Sequence, residues 1–135
     1  MRIATTVKTD RPLWNAIGRG ARCKCPKCGA APLFSAYLKT ENVCGACGED
    51  FSPHRADDLP PYLAILVVGH LLVGTVLHLE MVWHISVMTY LLVLVPAAII
   101  LPIAMLPSLK GGVIALQWAL RLHGFADPEE QFAAK

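Results

Sequence analysis

Four cysteines stand in two matched pairs, Cys25-x-x-Cys28-Gly and Cys44-x-x-Cys47-Gly, with fifteen residues between them. Two thiolates three residues apart on a tight turn can reach one ion at a Zn–S distance of about 2.3 Å, so two such turns supply a closed tetrahedral set. Gly29 and Gly48 follow directly, where a residue free to take positive φ closes each turn. Pro26 fixes φ on entry to the first. Four Cys leave no coordination position open, which is the pattern of a structural zinc site. The rival readings are iron or an iron–sulfur centre, and thiol–disulfide chemistry. Two further groups are candidate additional ligands. Cys23 stands two residues ahead of Cys25, too close for knuckle spacing. It reads as a free thiol beside the site, or alternatively as a ligand-exchange or redox-sensing group flanked by Arg22, Lys24 and Lys27. His54 also lacks knuckle spacing.

A second set of ionisable residues, His70, His78, Glu80 and His84, lies in or at the end of an apolar run. An ionisable residue at membrane depth is a functional candidate. His70 and His78 are separated by about 12 Å of helical rise and about 80° of rotation, so they cannot chelate one ion within a single helix. Glu80 and His84, at i and i+4, face each other. Two His70 rings meeting across a subunit interface could hold a haem or a copper ion. The plainer reading is a neutral His70 hydrogen-bonded to a carbonyl or to Thr75, joining helices.

The elements that position these residues follow from hydropathy and charge. Nine of the twelve Lys and Arg lie in the first 58 residues, and the 51 residues between Asp58 and Lys110 hold one formal charge, Glu80. Tyr62–Leu79 and Val87–Leu106 contain no Lys, Arg, Asp or Glu. A hydrocarbon core of about 30 Å needs about 20 helical residues. The two runs therefore predict a transmembrane hairpin over 57–107, with helices at about 62–83 and 87–106. Asp57, Asp58 and Pro60 make a favourable helix start. Pro96 and Pro102 should kink the second helix, with neighbours re-satisfying the freed carbonyls. The link between the helices carries no Lys or Arg, whereas the flanks carry all twelve. The positive-inside bias then predicts both termini in the cytoplasm, a reducing compartment that disfavours disulfides.

Leu109, Val113, Leu116 and Leu120 recur at helical spacing. They predict an amphipathic interfacial helix over 108–124, stopping at Gly124 and followed by a polar tail, 125–135. A third spanning helix is the alternative. Residues 1–19 read as a flexible basic arm with one amphipathic spot at Leu13, Trp14 and Ile17, free in solvent or docked on a membrane or partner. Residues 20–56 form the ribbon domain. Strand formers in "PLFSAYLKTENV" around a turn-prone "KTEN" predict a hairpin that joins the knuckles. So short a polar unit cannot hold a core alone, so bound metal must supply folding energy.

The stretches "GRGARCKCPKCGAAPLFSAYLKTENVCGACGEDFS", "RADDLPPYLAILVVGHLL" and "LKGGVIALQWALRLHG" together resemble the bacterial membrane family catalogued as domain of unknown function 983. The resemblance runs from about Gly18 to Gly124. It places Cys25, Cys28, Cys44, Cys47, Asp57, Asp58, Pro60, His70, Trp118, Arg121 and His123 on the family's positions, and leaves Cys23 outside its pattern. It implies the architecture above but no activity. Some members are encoded beside terminal-oxidase assembly genes.

The fold expected is thus a small four-Cys zinc ribbon, an all-α hairpin of two transmembrane helices and a C-terminal interfacial helix. The sequence shows no Ser/His/Asp set, no paired carboxylates in a pocket context and no phosphate loop; Asp57 and Asp58 read as a helix start. The sequence points to a non-enzymatic, multi-pass protein of the bacterial inner membrane. It would serve as an accessory subunit or assembly factor of a larger membrane complex, with a respiratory complex of the terminal-oxidase class as the candidate, or form a homo-oligomer. The alternatives are metal, haem or redox handling through His70 and the thiols, and a membrane-tethered nucleic-acid ribbon. The net charge of +2 is too small to argue for nucleic acid alone.

Overall fold

In the computed structural model, residues 11–122, 124 and 125 are described. His123, which the family resemblance singles out, and the tail beyond Phe125 lie outside them. The element order is α1 (Leu13–Ala21), β1 (Phe34–Ala36), β2 (Lys39–Thr40), α2 (Leu59–Val82) and α3 (Val87–Ala119).

The apolar runs form α2 and α3, packed against each other. Both are long and apolar enough to cross a membrane, and only 11% and 0% of their apolar windows are buried inside the chain. A core helix of a soluble protein would be buried. Here Ile65, Leu66, Leu77, Leu92, Ile99 and Ile103 all face outward. These two helices make the chain membrane-associated. Ala64 and Val68, one turn apart, are buried in α2 and mark a narrow packed stripe. Asp58 occupies the N-cap of α2 without a side-chain capping bond, and proline follows in the first turn. Ser86 caps α3, its Oγ accepting from the Thr89 amide.

The region beyond residue 107 corrects the expected boundaries. Among the described residues there is no separate C-terminal helix: α3 runs unbroken for 33 residues through Pro96, Pro102 and Pro107, about 50 Å at 1.5 Å per residue. Its last turns are buried, with Val113, Ile114, Ala115, Gln117 and Trp118 inside. The face turned to protein is that of Gly111, Val113, Ile114, Gln117 and Trp118, whereas Leu120 of the expected apolar stripe is exposed. Nor does Gly124 end it. The helix closes at Leu120 with two reverse bonds, Arg121 N–H to Trp118 O and Leu122 N–H to Gln117 O. Arg121 takes φ +56° at the position glycine usually fills in such a stop.

The N-terminal stretch is also not all arm. From Leu13 it forms α1, with Ala16 and Gly20 buried. α1 lies antiparallel to the end of α3: Arg11 at its start donates to Trp118 O at 2.6 Å, while Gly20 at its end meets Gly111 backbone to backbone. A Cβ on either glycine would run into the other's carbonyl oxygen. α1 therefore stands along α3, and Trp14 points away from the contact, 82% exposed. The sequence signal was weak because the packing residues are a small alanine and a glycine, which carry almost no hydropathy.

β1 and β2 pair antiparallel, Phe34 opposite Thr40 and Ala36 opposite Lys39. The hairpin is as expected, but its turn is not. It falls at Tyr37–Leu38, with Leu38 at φ +60°, and Lys39 and Thr40 belong to β2 rather than to the turn. Two contacts with α3 fix this register. Lys110 Nζ donates to Leu38 O at 2.8 Å, and the Tyr37 hydroxyl donates to Ile103 O at 2.6 Å. Ile103 lies four residues before Pro107, whose missing N–H leaves that carbonyl without its helical donor. The tip of the hairpin supplies the replacement.

One core joins these pieces. Ala16, Leu33, Phe51, Ala56, Ile114, Trp118 and Phe125 cluster with Cys25 and Cys44. The head thus consists of α1, the ribbon and the end of α3, and it obtains its largest apolar groups from both sides of the hairpin in sequence.

Candidate metal centre

The first knuckle turns between Cys25 and Gly29, closed by the Gly29 amide donating to Cys25 O at 2.8 Å with φ +68° at Gly29. The second repeats it: Gly48 N–H to Cys44 O at 2.9 Å, with φ +72° at Gly48. Short bridges flank both, Lys24 with Pro32 and Val43 with Asp50. The two turns bring the sulfurs of Cys25, Cys28, Cys44 and Cys47 to within 4.8 Å of one another. Cys25 and Cys47 sulfurs lie 3.7 Å apart, as do those of Cys28 and Cys44. A tetrahedron with metal–sulfur bonds of about 2.3 Å has edges of about 3.8 Å. A disulfide would need about 2.05 Å. The spacing fits four ligands around one ion and not two disulfide bonds.

The electrostatics suit a cation. The amides of Ala30 and Ala31 bring the Cys28 thiol down to about 6. At Cys44, burial pushes upward, but the amides of Cys47 and Ala46 outweigh it and the thiol is lowered. Burial pushes Cys25 up to about 12 and raises Cys47. Each knuckle therefore contributes one thiolate favoured by amides and one disfavoured by desolvation, and a bound cation favours all four. The donor set is soft and complete, with no carboxylate or imidazole in the group.

Cys23 and His54 lie outside this four-sulfur group. Cys23 has a backbone role. The amides of Cys23 and Lys24 donate back to Gly20 O at 2.8 Å and Arg19 O at 3.0 Å, which terminates α1 with Cys23 at φ +59°. It is the turn residue between helix and ribbon. His54 Nδ1 sits 2.6 Å from Phe51 O, within the turn that leaves the ribbon.

Around the centre, polar side chains tie ribbon to α3. Trp118 Nε1 donates to Glu49 Oε1 at 2.6 Å, and Lys27 Nζ to Glu49 Oε2 at 2.8 Å. Burial pushes Glu49 up, but Lys27 and Trp118 hold its carboxyl below the ordinary value. The Arg11 guanidinium lies over the Trp118 ring, 4.6 Å from its centroid. Gln117 brackets the Arg55 backbone, accepting its N–H at 3.0 Å and donating to its C=O at 2.6 Å. The sequence reading did not single out Gln117 or Glu49. A glutamine inside the apolar run "VIALQWAL" was the available signal.

The membrane candidates are dispersed. His70 is exposed on α2, its Nδ1 2.7 Å from Leu66 O. Thr75 donates to Leu71 O instead. His78 is exposed. Glu80 and His84 approach to 3.8 Å. None of these joins a metal-capable group among the described residues.

A family model described as Protein of unknown function (DUF983) matches residues 34–118. That span holds the second knuckle, α2 and nearly all of α3. It is narrower than the resemblance suggested, and it starts after Cys25, Cys28 and α1. No curated protein and no solved structure matches the chain.

Proposed function

The chain belongs to the family of proteins of unknown function DUF983, and on that premise we propose that it is a non-enzymatic accessory or assembly subunit of a larger membrane complex. In this reading α2 and α3 span the bacterial inner membrane, and the head lies on the cytoplasmic side with both termini. The positive-inside distribution supports that orientation: the Trp83–Ser86 link has no Lys or Arg. A respiratory complex of the terminal-oxidase class is the leading candidate, through the gene neighbourhood of similar family members. The ion is zinc, which four thiolates at tetrahedral spacing suit and which leaves no position open for substrate.

One observation carries the accessory reading. The chain's single metal-capable group among the described residues is closed, and its two long helices direct apolar side chains outward instead of enclosing a chamber. Such a molecule presents surfaces. The nucleic-acid alternative loses part of its basic face, because Arg19 donates to Lys27 O and Lys27 pairs with Glu49.

The test is purification of the tagged full-length chain in mild detergent, with metal analysis and an absorption spectrum. The expected result is one zinc per chain, no visible absorbance from the chain itself, and co-elution with a large membrane complex. Elution alone would sink the accessory reading. Haem or copper bound stoichiometrically to the isolated chain would replace it with metal or redox handling.

A further inference from the structure

We propose that the outward face of α2 around His70 is the docking groove for a transmembrane helix of a different polypeptide, one that presents a hydrogen-bond donor to His70. The inference rests on the membrane-spanning, accessory reading above and names the surface that would serve it.

The starting point is the direction of the imidazole. A carbonyl oxygen only accepts, so the 2.7 Å contact of Nδ1 with Leu66 O puts the proton of the neutral ring on Nδ1. Nε2 is left with a lone pair and has no hydrogen-bond partner among the described residues. His70 lies eleven residues from the start of α2 and twelve from its end, about 17 Å of helix either way. That is the middle of a bilayer. Acyl chains offer no donor there, and an unsatisfied polar group in hydrocarbon is unfavourable.

The surroundings have the shape of a helix site. His70 lines an open groove of 560 Å³ with Leu66, Gly69, Val73 and Gly74, running from Ile65 to Leu77. Its length is about 18 Å, or three helical turns. A Cβ on Gly69 or Gly74 would meet nothing within 4 Å, so both glycines open the floor without any partner inside the chain. Small residues of this kind let a second backbone come close. α3 packs elsewhere on α2, at the stripe that buries Ala64 and Val68.

A second copy of this chain offers no donor at this depth while its own His70 keeps the bond to Leu66. The Thr75 hydroxyl is already spent on Leu71 O. On α3, Leu91 to Leu106 contains no side-chain donor, and Thr89 and Tyr90 sit at the first turn. Two copies related by a parallel twofold would oppose one Nε2 lone pair to another. The occupant is therefore a heterologous segment with a Ser, Thr, Tyr, Trp, Asn or Gln near mid-membrane.

The experiment uses the full-length chain in its native membranes, with a benzoylphenylalanine photoprobe in place of Leu66 or Val73 and, as control, of Ile99 on α3. Mass spectrometry maps each adduct, and zinc content reports that the head is intact. The proposal expects adducts from the two groove positions, mapped to a membrane segment of another protein within one turn of a donor residue. In a His70→Leu background the yield should fall about fivefold, and His70→Gln, which keeps an acceptor, should restore it. Adducts to lipid alone or to a second copy would overturn the proposal, as would a His70→Leu yield equal to wild type. Failure of His70→Gln to rescue, or a haem or metal found on His70, would do the same. If the tagged chain still co-elutes with a large complex while the groove gives no protein adduct, the groove fails and the accessory reading stands. If it elutes alone and gives no adduct, both fail.

Discussion

The head and the hairpin solve the same backbone problem in opposite ways. In the head, apolar groups turn inward around Phe51, Leu33 and Ile114, and polar side chains are assigned to particular partners: Gln117 to Arg55, Lys110 to Leu38, Trp118 to Glu49. In the hairpin, apolar groups turn outward, and the few polar side chains fold back onto their own helix, as His70 does to Leu66 and Thr75 to Leu71. The head is organised by long-range contacts around a metal-capable cysteine set, whereas the hairpin is organised by its solvent. Removing a head contact should therefore leave the hairpin standing.

The strongest challenge to that separation is loss of the metal. Cys44→Ser, or chelation of the wild type, should abolish zinc binding and unfold the ribbon, since structural zinc supplies about 10 kcal/mol or more in small metal-dependent units. Hydrogen exchange should show protection lost through residues 23–51 while the middle of α2 stays protected. Collapse of α2 protection in the same step would show that head and hairpin are one cooperative unit. Next in size is Gly20→Val, which forces a side chain into the Gly111 backbone. It should destabilise the head by about 3 kcal/mol and expose Ala16 and Trp118, read by denaturant titration of tryptophan fluorescence. Gln117→Leu keeps the volume but leaves the Arg55 N–H and C=O without partners, for about 2 kcal/mol in the same titration. Smallest, and of opposite sign, is Cys23→Gly. Because Cys23 holds φ +59° as a helix stop, glycine should stabilise the head by about 1 kcal/mol. One zinc should remain per chain by metal analysis. A loss of zinc would instead make Cys23 a ligand.

What the sequence made legible was whatever is written locally. The two knuckles show in a spacing of three plus a glycine, and the hairpin in two runs without charge. Both are present in the structure. The misread parts depend on residues far apart. α1 is held by Ala16 and Gly20 against Gly111, a contact of small residues with no hydropathic signature. The turn of the β-hairpin moved from "KTEN" to Tyr37–Leu38 because α3, seventy residues on, binds those two backbone and side-chain groups. α3 reads as two helices because three prolines and Lys110 interrupt its pattern, and tertiary partners accommodate them. The left-handed backbone of Cys23 at the end of α1 was not legible either, because a dihedral angle leaves no mark in composition.

The Tyr37 bond to Ile103 also has a mechanical meaning. It braces α3 beside Pro107, where a proline would otherwise leave the rod weakest and where the apolar length gives way to the metal-bearing end. With that joint stapled, α3 acts as a single strut of about 50 Å. A lean of about 10° imposed at the cysteine-bearing end would swing the opposite tip by about 9 Å.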